Sequence, residues 1–265
     1  MKSNEPLILG HRGASAVAPE NTLAAFAQAI RDGADGIEFD VRLSSDGVPV
    51  VIHDATLNRT GLISGTVGQL TAAQLQQIDV GRWFDKRNGD RVFSERLPTL
   101  AQVFDLFATN NAVLYVEMKC DANEGARLAT AVVHQISQQK IRERVVVESF
   151  ALSAVQEIKR IDSAVRTAAL FEPGLSQPVS TLRAQSILRL ARDHQADEIA
   201  LHHSLARPKL LHAARAEGFE IVVWTVDDPD WIKRARHHQV KALIANNPRR
   251  MVEVRDESLL PIGRN

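Results

Sequence analysis

The stretch Gly36-Ile37-Glu38-Phe39-Asp40-Val41 decides how this sequence is interpreted, because a short apolar run carries two carboxylates close to its end. Side chains two positions apart on a β-strand face the same side, so Glu38 and Asp40 point together. In a parallel α/β barrel, reactive groups lie at the carboxyl ends of the strands. The stretch therefore predicts a barrel strand that brings two acids to an active site.

Three other apolar runs end in polar side chains in the same way. Leu7-Ile8-Leu9-Gly10 is followed by His11 and Arg12, and Val50-Val51-Ile52 is followed by His53. Val113-Leu114-Tyr115-Val116 is followed by Glu117 and, two positions later, by Lys119. We expect these side chains to converge with Glu38 and Asp40 at the mouth of one barrel.

The rest of the chain alternates between β-rich runs and amphipathic segments. Eight strands are predicted, at 7–10, 36–41, 113–118, 144–149, 165–170, 197–202, 220–225 and 240–245. Helical patterns cover Thr22–Arg31, Thr99–Thr109, Ala126–Gln138, Leu152–Arg160, Thr181–Asp193, Arg207–Ala216 and Pro229–His237. Eight such repeats predict a closed TIM (β/α)8 barrel. A Rossmann fold is disfavoured because no G-x-G-x-x-G follows the first strand.

One segment interrupts this alternation. Asp46-Gly47 is a turn signal, which predicts a hairpin after the second barrel strand. Residues 55–97 are rich in turn residues, with one short helical pattern at Thr71–Ile78, and the regular pattern resumes at Thr99, a predicted helix N-cap. We therefore expect one barrel domain over residues 1–265, with 55–97 as an insertion that covers the mouth.

Composition excludes several classes of function. The chain has 265 residues, and 32 Lys and Arg balance 32 Asp and Glu, so no basic block favours nucleic acid as a partner. Cys120 is the only cysteine, which excludes an internal disulfide and a thiolate metal cluster. Residues 1–6 lack the features of a secretory signal, and no apolar run is long enough to span a bilayer. We expect a cytoplasmic protein without stable membrane association, and the sequence leaves its oligomeric state open.

The three carboxylates predict a metal site. Acids that point together in a closed pocket repel one another unless a cation lies between them. Glu38, Asp40 and Glu117 offer oxygen ligands suited to one divalent cation, Mg²⁺ or Ca²⁺, with Mn²⁺ as an acceptable substitute. Arg12 and Lys119 could contact a phosphate that the same ion binds. Taken separately, Glu38 and Asp40 also suit a salt-bridged rim, and Glu117 and Lys119 suit an ion pair.

The histidines complete the predicted chemistry. Cleavage of a phosphodiester needs a base for the attacking oxygen and an acid for the departing one, and His11 and His53 could share these roles. Which of them is the base stays open at this point. Trp224 could form an apolar wall of the substrate site, or simply pack in the core. His202 could reach the pocket, or have a surface or packing role.

The ordered motifs closely resemble those of the glycerophosphodiester phosphodiesterase family, in particular its short bacterial cytosolic type. The matching pieces lie between about residues 7 and 250: His11-Arg12-Gly13, Pro19-Glu20-Asn21-Thr22, Glu38-Phe39-Asp40, Asp46-Gly47, His53-Asp54, Leu57-x-Arg59-Thr60, Gly81-x-Trp83-Phe84, Leu97-Pro98-Thr99-Leu100, Val116-Glu117-Met118-Lys119, Ser149-Phe150 and Trp224-Thr225-Val226. The resemblance implies hydrolysis of a glycerophosphodiester, a small molecule, to glycerol 3-phosphate and an alcohol. It implies the roles already predicted from the residues: His11 and His53 as the acid–base pair, Glu38, Asp40 and Glu117 as the metal ligands, and Arg12 and Lys119 as the phosphate contacts.

Two departures from the family pattern stand out. Arg59-Thr60 is followed by Gly61-Leu62-Ile63 where the family often has Thr or Ser and then Asn-Gly. The last strand ends in Ala245-Asn246 where the family usually has Thr-Asp. Both changes are expected to lie outside the metal and histidine set, and to affect substrate fit rather than chemistry.

Two other functions remain as alternatives. A phospholipase-D-like or lyase-type barrel would release a cyclic phosphate, but the sequence shows neither an apolar interfacial loop nor a polybasic patch. A non-catalytic barrel that only binds phosphodiesters would be expected to lack a ligand or a histidine, and all five are present.

Overall fold

The computed structural model describes residues 5–84, 93–121, 123–174 and 184–258. It contains the strands β1 (Leu7–His11), β2 (Gly36–Leu43), β3 (Pro49–Val51), β4 (Val113–Met118), β5 (Val145–Ser149), β6 (Arg166–Phe171), β7 (Glu198–His202), β8 (Glu220–Trp224) and β9 (Ala242–Ala245). The helices are α1 (Leu23–Arg31), α2 (Ala72–Leu75), α3 (Leu100–Leu106), α4 (Gly125–Gln139), α5 (Leu152–Ile161), α6 (Ala184–Asp193), α7 (Pro208–Ala216), α8 (Asp230–His238) and α9 (Pro248–Glu257). The first residues of the predicted helix Thr181–Asp193 lie outside the described residues.

Eight of these strands form a closed parallel barrel. Neighbouring barrel strands pair in the order β1-β2-β4-β5-β6-β7-β8-β9, and β9 pairs with β1 to close the sheet. The predicted TIM barrel is thus confirmed. The short strand β3 runs antiparallel to β2 and forms the predicted hairpin, whose turn contains Gly47 at φ +80.

Local sequence signals begin the helices that flank the mouth. Thr22 caps α1 by accepting a hydrogen bond from the backbone of Ala25. Thr99 caps α3 in a capping box with Gln102, as its position predicts. None of the described helices is long and apolar enough to cross a membrane.

The two faces of each barrel strand pack differently. Outward side chains such as Phe39, Val116 and Val147 pack in a core shared with the helices. Inward side chains fill the barrel, where Leu9, Tyr115 and Val146 are among the buried members of one cluster. The Tyr115 hydroxyl donates to Glu198 Oε2 over 2.6 Å at the amino end of the barrel. This filling leaves the carboxyl ends of the strands as the place for a cavity.

Candidate active site

The register of the strands brings the predicted site residues together. Asp40 is the pairing partner of Glu117 across β2 and β4, and His11 is the partner of Glu38 across β1 and β2. His53 follows the hairpin strand β3, whose neighbour Ile52 donates its backbone N–H to the Asp40 carbonyl. The hairpin therefore returns the chain to the barrel mouth.

Glu38, Asp40 and Glu117 form a compact buried cluster. One carboxylate oxygen from each lies within 4.8 Å of the others. Burial, followed by repulsion from Asp40, raises the pKa of Glu117 to about 8, and the pKa of Glu38 is raised well above its usual value by the same two causes. Burial also acts on Asp40, but the charges of Arg12 and Lys119 hold its pKa well below the usual range. Three carboxyl groups that each offer an oxygen form the kind of donor set that a hard divalent cation prefers.

Asn21 fixes Asp40 within this cluster. Its Nδ2 donates to Asp40 Oδ2 over 2.8 Å, and its Oδ1 accepts from the backbone N–H of Asp40 over 3.2 Å. Both residues are buried. This double contact leaves Asp40 Oδ1 directed at the other acids, where Lys119 Nζ lies 3.4 Å away.

The two predicted phosphate contacts lie beside the same cluster. Arg12 Nε lies 3.2 Å from Asp40 Oδ2, and its backbone N–H donates to Glu38 Oε2 over 3.1 Å. Lys119 directly follows β4, and its Nζ lies 2.7 Å from Glu117 Oε1, as expected for side chains two positions apart in extended backbone. Both cations thus lie where they could contact a phosphate bound at the acids.

His11 is held by a neutral amide. Its Nδ1 lies 2.7 Å from Asn246 Oδ1, and Asn246 Nδ2 donates to Asp227 Oδ2 over 2.6 Å. Because Asp227 takes the amide N–H, Asn246 presents its oxygen to His11, and Nδ1 of His11 is the donor. Burial, followed by the charge of Arg12, lowers the pKa of His11 to about 4. The expectation that the change at Asn246 lies outside the histidine set is wrong, because strand closure brings this residue against His11.

His53 is held by a carboxylate instead. Its Nδ1 lies 2.7 Å from Asp54 Oδ1, and Arg59 Nε donates to the other Asp54 oxygen over 2.6 Å. Arg59 also binds Glu20 through both terminal nitrogens, at 2.7 and 2.8 Å, and Glu20 in turn accepts from Arg12. A chain of charged groups therefore connects His53 to Arg12. No individual role was predicted for Glu20, Asp54 or Arg59, although all three lie in the motifs that carry the family resemblance.

A cavity of about 330 Å³ opens next to these groups. It is lined by His11, Arg12, Glu38, His53, Glu117, Lys119, Glu148, Phe150, Leu170, Glu172, Trp224 and Ile244. Trp224 is thus a cavity wall, whereas His202 is not in the lining and packs its ring edge-on against Trp224 at 5.3 Å between centroids. Glu148 and Glu172 are additional acids that were not predicted from the sequence. The signal for Glu148 was one acid within the apolar strand Val145-Val146-Val147-Glu148-Ser149.

Comparison with known proteins identifies the family. The model of the glycerophosphoryl diester phosphodiesterase family matches residues 11–250. The chain belongs to this family. A glycerophosphodiester phosphodiesterase of Caldanaerobacter subterraneus is 29% identical over 248 residues, which cover 94% of this chain and 97% of the relative.

Solved structures agree with this assignment. A glycerophosphodiester phosphodiesterase from Agrobacterium tumefaciens is 29% identical with a TM-score of 0.77, and the match covers 94% of this chain and 99% of that one. An Oleispira antarctica phosphodiesterase, solved in complex with the product sn-glycerol-3-phosphate, shares the fold at a TM-score of 0.83. That match is 24% identical and covers 96% of this chain and 98% of that one.

Family membership confirms the predicted enzyme class. The chain is a phosphoric diester hydrolase that acts on glycerophosphodiesters and releases glycerol 3-phosphate and an alcohol. The buried acid triad, together with the family, indicates a divalent metal site.

Proposed function

We propose that His11 and His53 are the acid–base pair of this hydrolase, and that Glu38, Asp40 and Glu117 hold one divalent cation beside them. The observation that carries the proposal is that two imidazoles lie beside one buried carboxylate triad. One imidazole contacts an amide and the other contacts a carboxylate. The substrate phosphate would lie between the imidazoles, in contact with Arg12 and Lys119.

The partners of the two histidines support a division of roles. The negative charge of a carboxylate such as Asp54 stabilises an imidazolium more than the neutral amide of Asn246 does, and burial keeps the pKa of His11 at about 4 despite that amide. His53 would therefore hold the proton that is given to the departing alcohol oxygen. His11 would be neutral, with its Nε2 free to take a proton from the attacking oxygen. Direct attack by water and attack by the neighbouring glycerol hydroxyl both suit this arrangement.

The donor set supports Mg²⁺ or Ca²⁺ in the metal site. All three candidate ligands are carboxylates, two of them with raised pKa values, and oxygen ligands are those that hard cations prefer. When bound, such an ion would offset the negative charge that develops on the phosphate oxygens. Arg12 and Lys119 would neutralise the remaining charge, Arg12 with a planar fork and Lys119 as a point charge.

The test is release of glycerol 3-phosphate from several glycerophosphodiesters, with and without a chelator. H11A, H53A and E117Q should each lower kcat by at least about 100-fold, as expected for loss of an acid, a base or a metal ligand. R142A changes a surface residue outside the cavity and is the control. Full activity in any of the first three variants would contradict the assigned role of that residue.

Phosphorus NMR separates the hydrolase from the lyase-type alternative. We expect glycerol 3-phosphate as the final product, with any cyclic phosphate consumed. A cyclic phosphate that persists after the substrate is exhausted would favour the lyase. No turnover with Mg²⁺, Ca²⁺ and Mn²⁺ across several head groups would favour a barrel that only binds phosphodiesters.

We also propose that residues 55–97, of which 85–92 lie outside the described residues, belong to the barrel domain and cover its mouth. Arg59, within this segment, binds Glu20 of the β1–α1 loop and Asp54 next to His53, which supports the proposal. Loss of these contacts in R59Q should make the segment more sensitive to limited proteolysis while the barrel resists.

Three further points stay predictions. Cell fractionation would check the cytoplasmic location, and electrophoretic mobility shifts would check the absence of a nucleic-acid partner. Alanine variants would check the substrate contacts of Trp224 and His202.

A further inference from the structure

Glu148 lies inside the barrel, one strand away from the metal ligands. It pairs in register with Glu117 across β4 and β5. Val146, two positions earlier on β5, belongs to the cluster that fills the barrel, so Glu148 faces the interior as well. Its neighbour Ser149 faces away, and its hydroxyl donates to the carbonyl of Met118 over 2.8 Å.

Glu148 is a buried acid, and its Oε2 has no hydrogen-bond partner among the described residues. Its exposed fraction is 1%, and Oε2 has no polar contact within hydrogen-bonding distance in that part of the chain. Burial, followed by the charges of Glu38 and Glu117, raises its pKa well above the usual value. Since a buried polar group without a partner lowers stability, its presence calls for an explanation.

The surroundings of Glu148 define the floor of the cavity, which we take as Glu148, Leu170 and Ile244. Leu170 and Ile244 belong to the same interior cluster as Val146 and are almost fully buried. At the opposite end, Phe150 has an exposed fraction of 37% and Glu172 is exposed. The cavity is thus closed at the floor and open at the end with Phe150 and Glu172.

A glycerophosphodiester has two halves that suit these two ends. Glycerol phosphate is common to all such substrates, whereas the alcohol varies in size. A variable group needs the open end, so the glycerol half belongs at the closed floor. Its hydroxyls need polar partners there, and Leu170 and Ile244 offer none.

We propose that Glu148 hydrogen-bonds a hydroxyl of the glycerol half and thereby determines specificity for glycerophosphodiesters over phosphodiesters that lack this hydroxyl. The inference rests on the proposed position of the phosphate between His11 and His53. In a complex with a substrate that lacks the hydroxyl, Glu148 Oε2 stays buried and unpaired. A site that leaves a polar group unpaired in this way discriminates strongly against such a substrate.

The test compares E148Q and E148L on two substrates, glycerophosphocholine and bis(4-nitrophenyl) phosphate, which has no glycerol. E148L should lower kcat/KM for glycerophosphocholine about 30-fold, which is the usual effect of losing one buried hydrogen bond. The loss of kcat/KM for the nitrophenyl ester should be at least about 10-fold smaller, because that substrate makes no such bond. E148Q, whose amide still donates and accepts, should keep most of the wild-type ratio between the two substrates.

Thermal unfolding verifies that the variants are folded. Replacing an unpaired buried acid by an apolar side chain of similar size should leave the Tm of E148L equal to or above that of the wild type. Equal losses on both substrates, or no loss on glycerophosphocholine, would overturn the proposal. Wild-type inactivity on both substrates would contradict the proposed catalytic roles instead. If the wild type cleaves only glycerophosphocholine, inhibition by glycerol 3-phosphate and by inorganic phosphate replaces the pair of substrates. E148L should then weaken inhibition by glycerol 3-phosphate about 30-fold and inhibition by phosphate much less, and equal weakening would overturn the proposal.

Discussion

Asp54 is the residue that distinguishes His53 from His11, since it supplies the carboxylate that His11 lacks. Burial lowers the pKa of His53 below its usual value, and the charge of Asp40 and the contact with Asp54 oppose this lowering. If His53 is the acid, activity is lost as the pH rises through its pKa. D54N should therefore move the alkaline limb of the kcat/KM profile to lower pH, and lower kcat/KM at pH 8 by about 100-fold.

The control for this variant is D105N, at an exposed position on α3 outside the cavity. Its pH profile should match that of the wild type. An alkaline limb that stays in place in D54N would show that His53 does not act as the acid.

Asn246 offers the complementary test on His11. A carboxylate in place of the amide would raise the pKa of His11, and a base must be unprotonated to act. N246D alone would place two acids together, because Asn246 contacts Asp227, so D227N is added to relieve the repulsion. The double variant should move the acidic limb of the kcat/KM profile upwards by about 1 pH unit. A shift of the alkaline limb would instead assign the acid role to His11.

At this scale the sequence predicts which residues meet at the barrel mouth but not what holds them there. His11, His53 and the three acids follow apolar runs, a signal that is local in the chain. The partners of the two histidines differ in how far they lie from them along the sequence. Asp54 is adjacent to His53, whereas Asn246 is 235 positions from His11 and meets it only because β9 closes the barrel against β1.

Among the elements, β2 carries two of the three candidate metal ligands, Glu38 and Asp40, and depends on a close approach to β4. Gly36 begins β2 opposite Val113, and a Cβ atom at this position would overlap the carbonyl oxygen of Val113. G36A should therefore push the two strands apart and lower the free energy of unfolding by about 2 kcal/mol. Chemical denaturation measures this change.

Gly68 provides the matched control for this substitution. It lies in a short helical turn, where an added Cβ would meet nothing closer than 3.9 Å. G68A should change the free energy of unfolding by less than about 0.5 kcal/mol. Equal stability of G36A and G68A would show that the β2–β4 approach tolerates a methyl group.

The elements themselves were predictable because barrel strands are buried on both faces and appear as short apolar runs. The predicted strand 36–41 is part of β2, Gly36–Leu43, and the predicted strand 240–245 contains β9, Ala242–Ala245. Boundaries differ by one or two residues because hydrogen bonding to the neighbouring strand, which lies far away in the sequence, decides where each strand ends.

At the scale of the whole molecule, the closed barrel concentrates acids that an open chain would keep apart. Folding buries Glu38 and Glu117 next to Asp40, which raises the pKa of Glu117 from 4.5 to about 8 and that of Glu38 well above 4.5. The folded state therefore binds more protons than the unfolded state between these pH values. Without metal, the contribution of these two acids to stability is largest below about pH 4.5 and is lost as the pH rises through about 8.

A bound divalent cation should remove much of this pH dependence. It competes with the protons for the same carboxylates, so it binds more tightly as the pH rises, and ligand binding to the folded state raises Tm. We expect the gain in Tm on adding Mg²⁺ or Ca²⁺ to the chelator-treated protein to be larger at pH 8 than at pH 6. In E117Q, which removes one of the titrating ligands, this difference should shrink. Differential scanning calorimetry at both pH values measures the effect, and an equal or smaller gain at pH 8 would contradict a metal site built from these three acids.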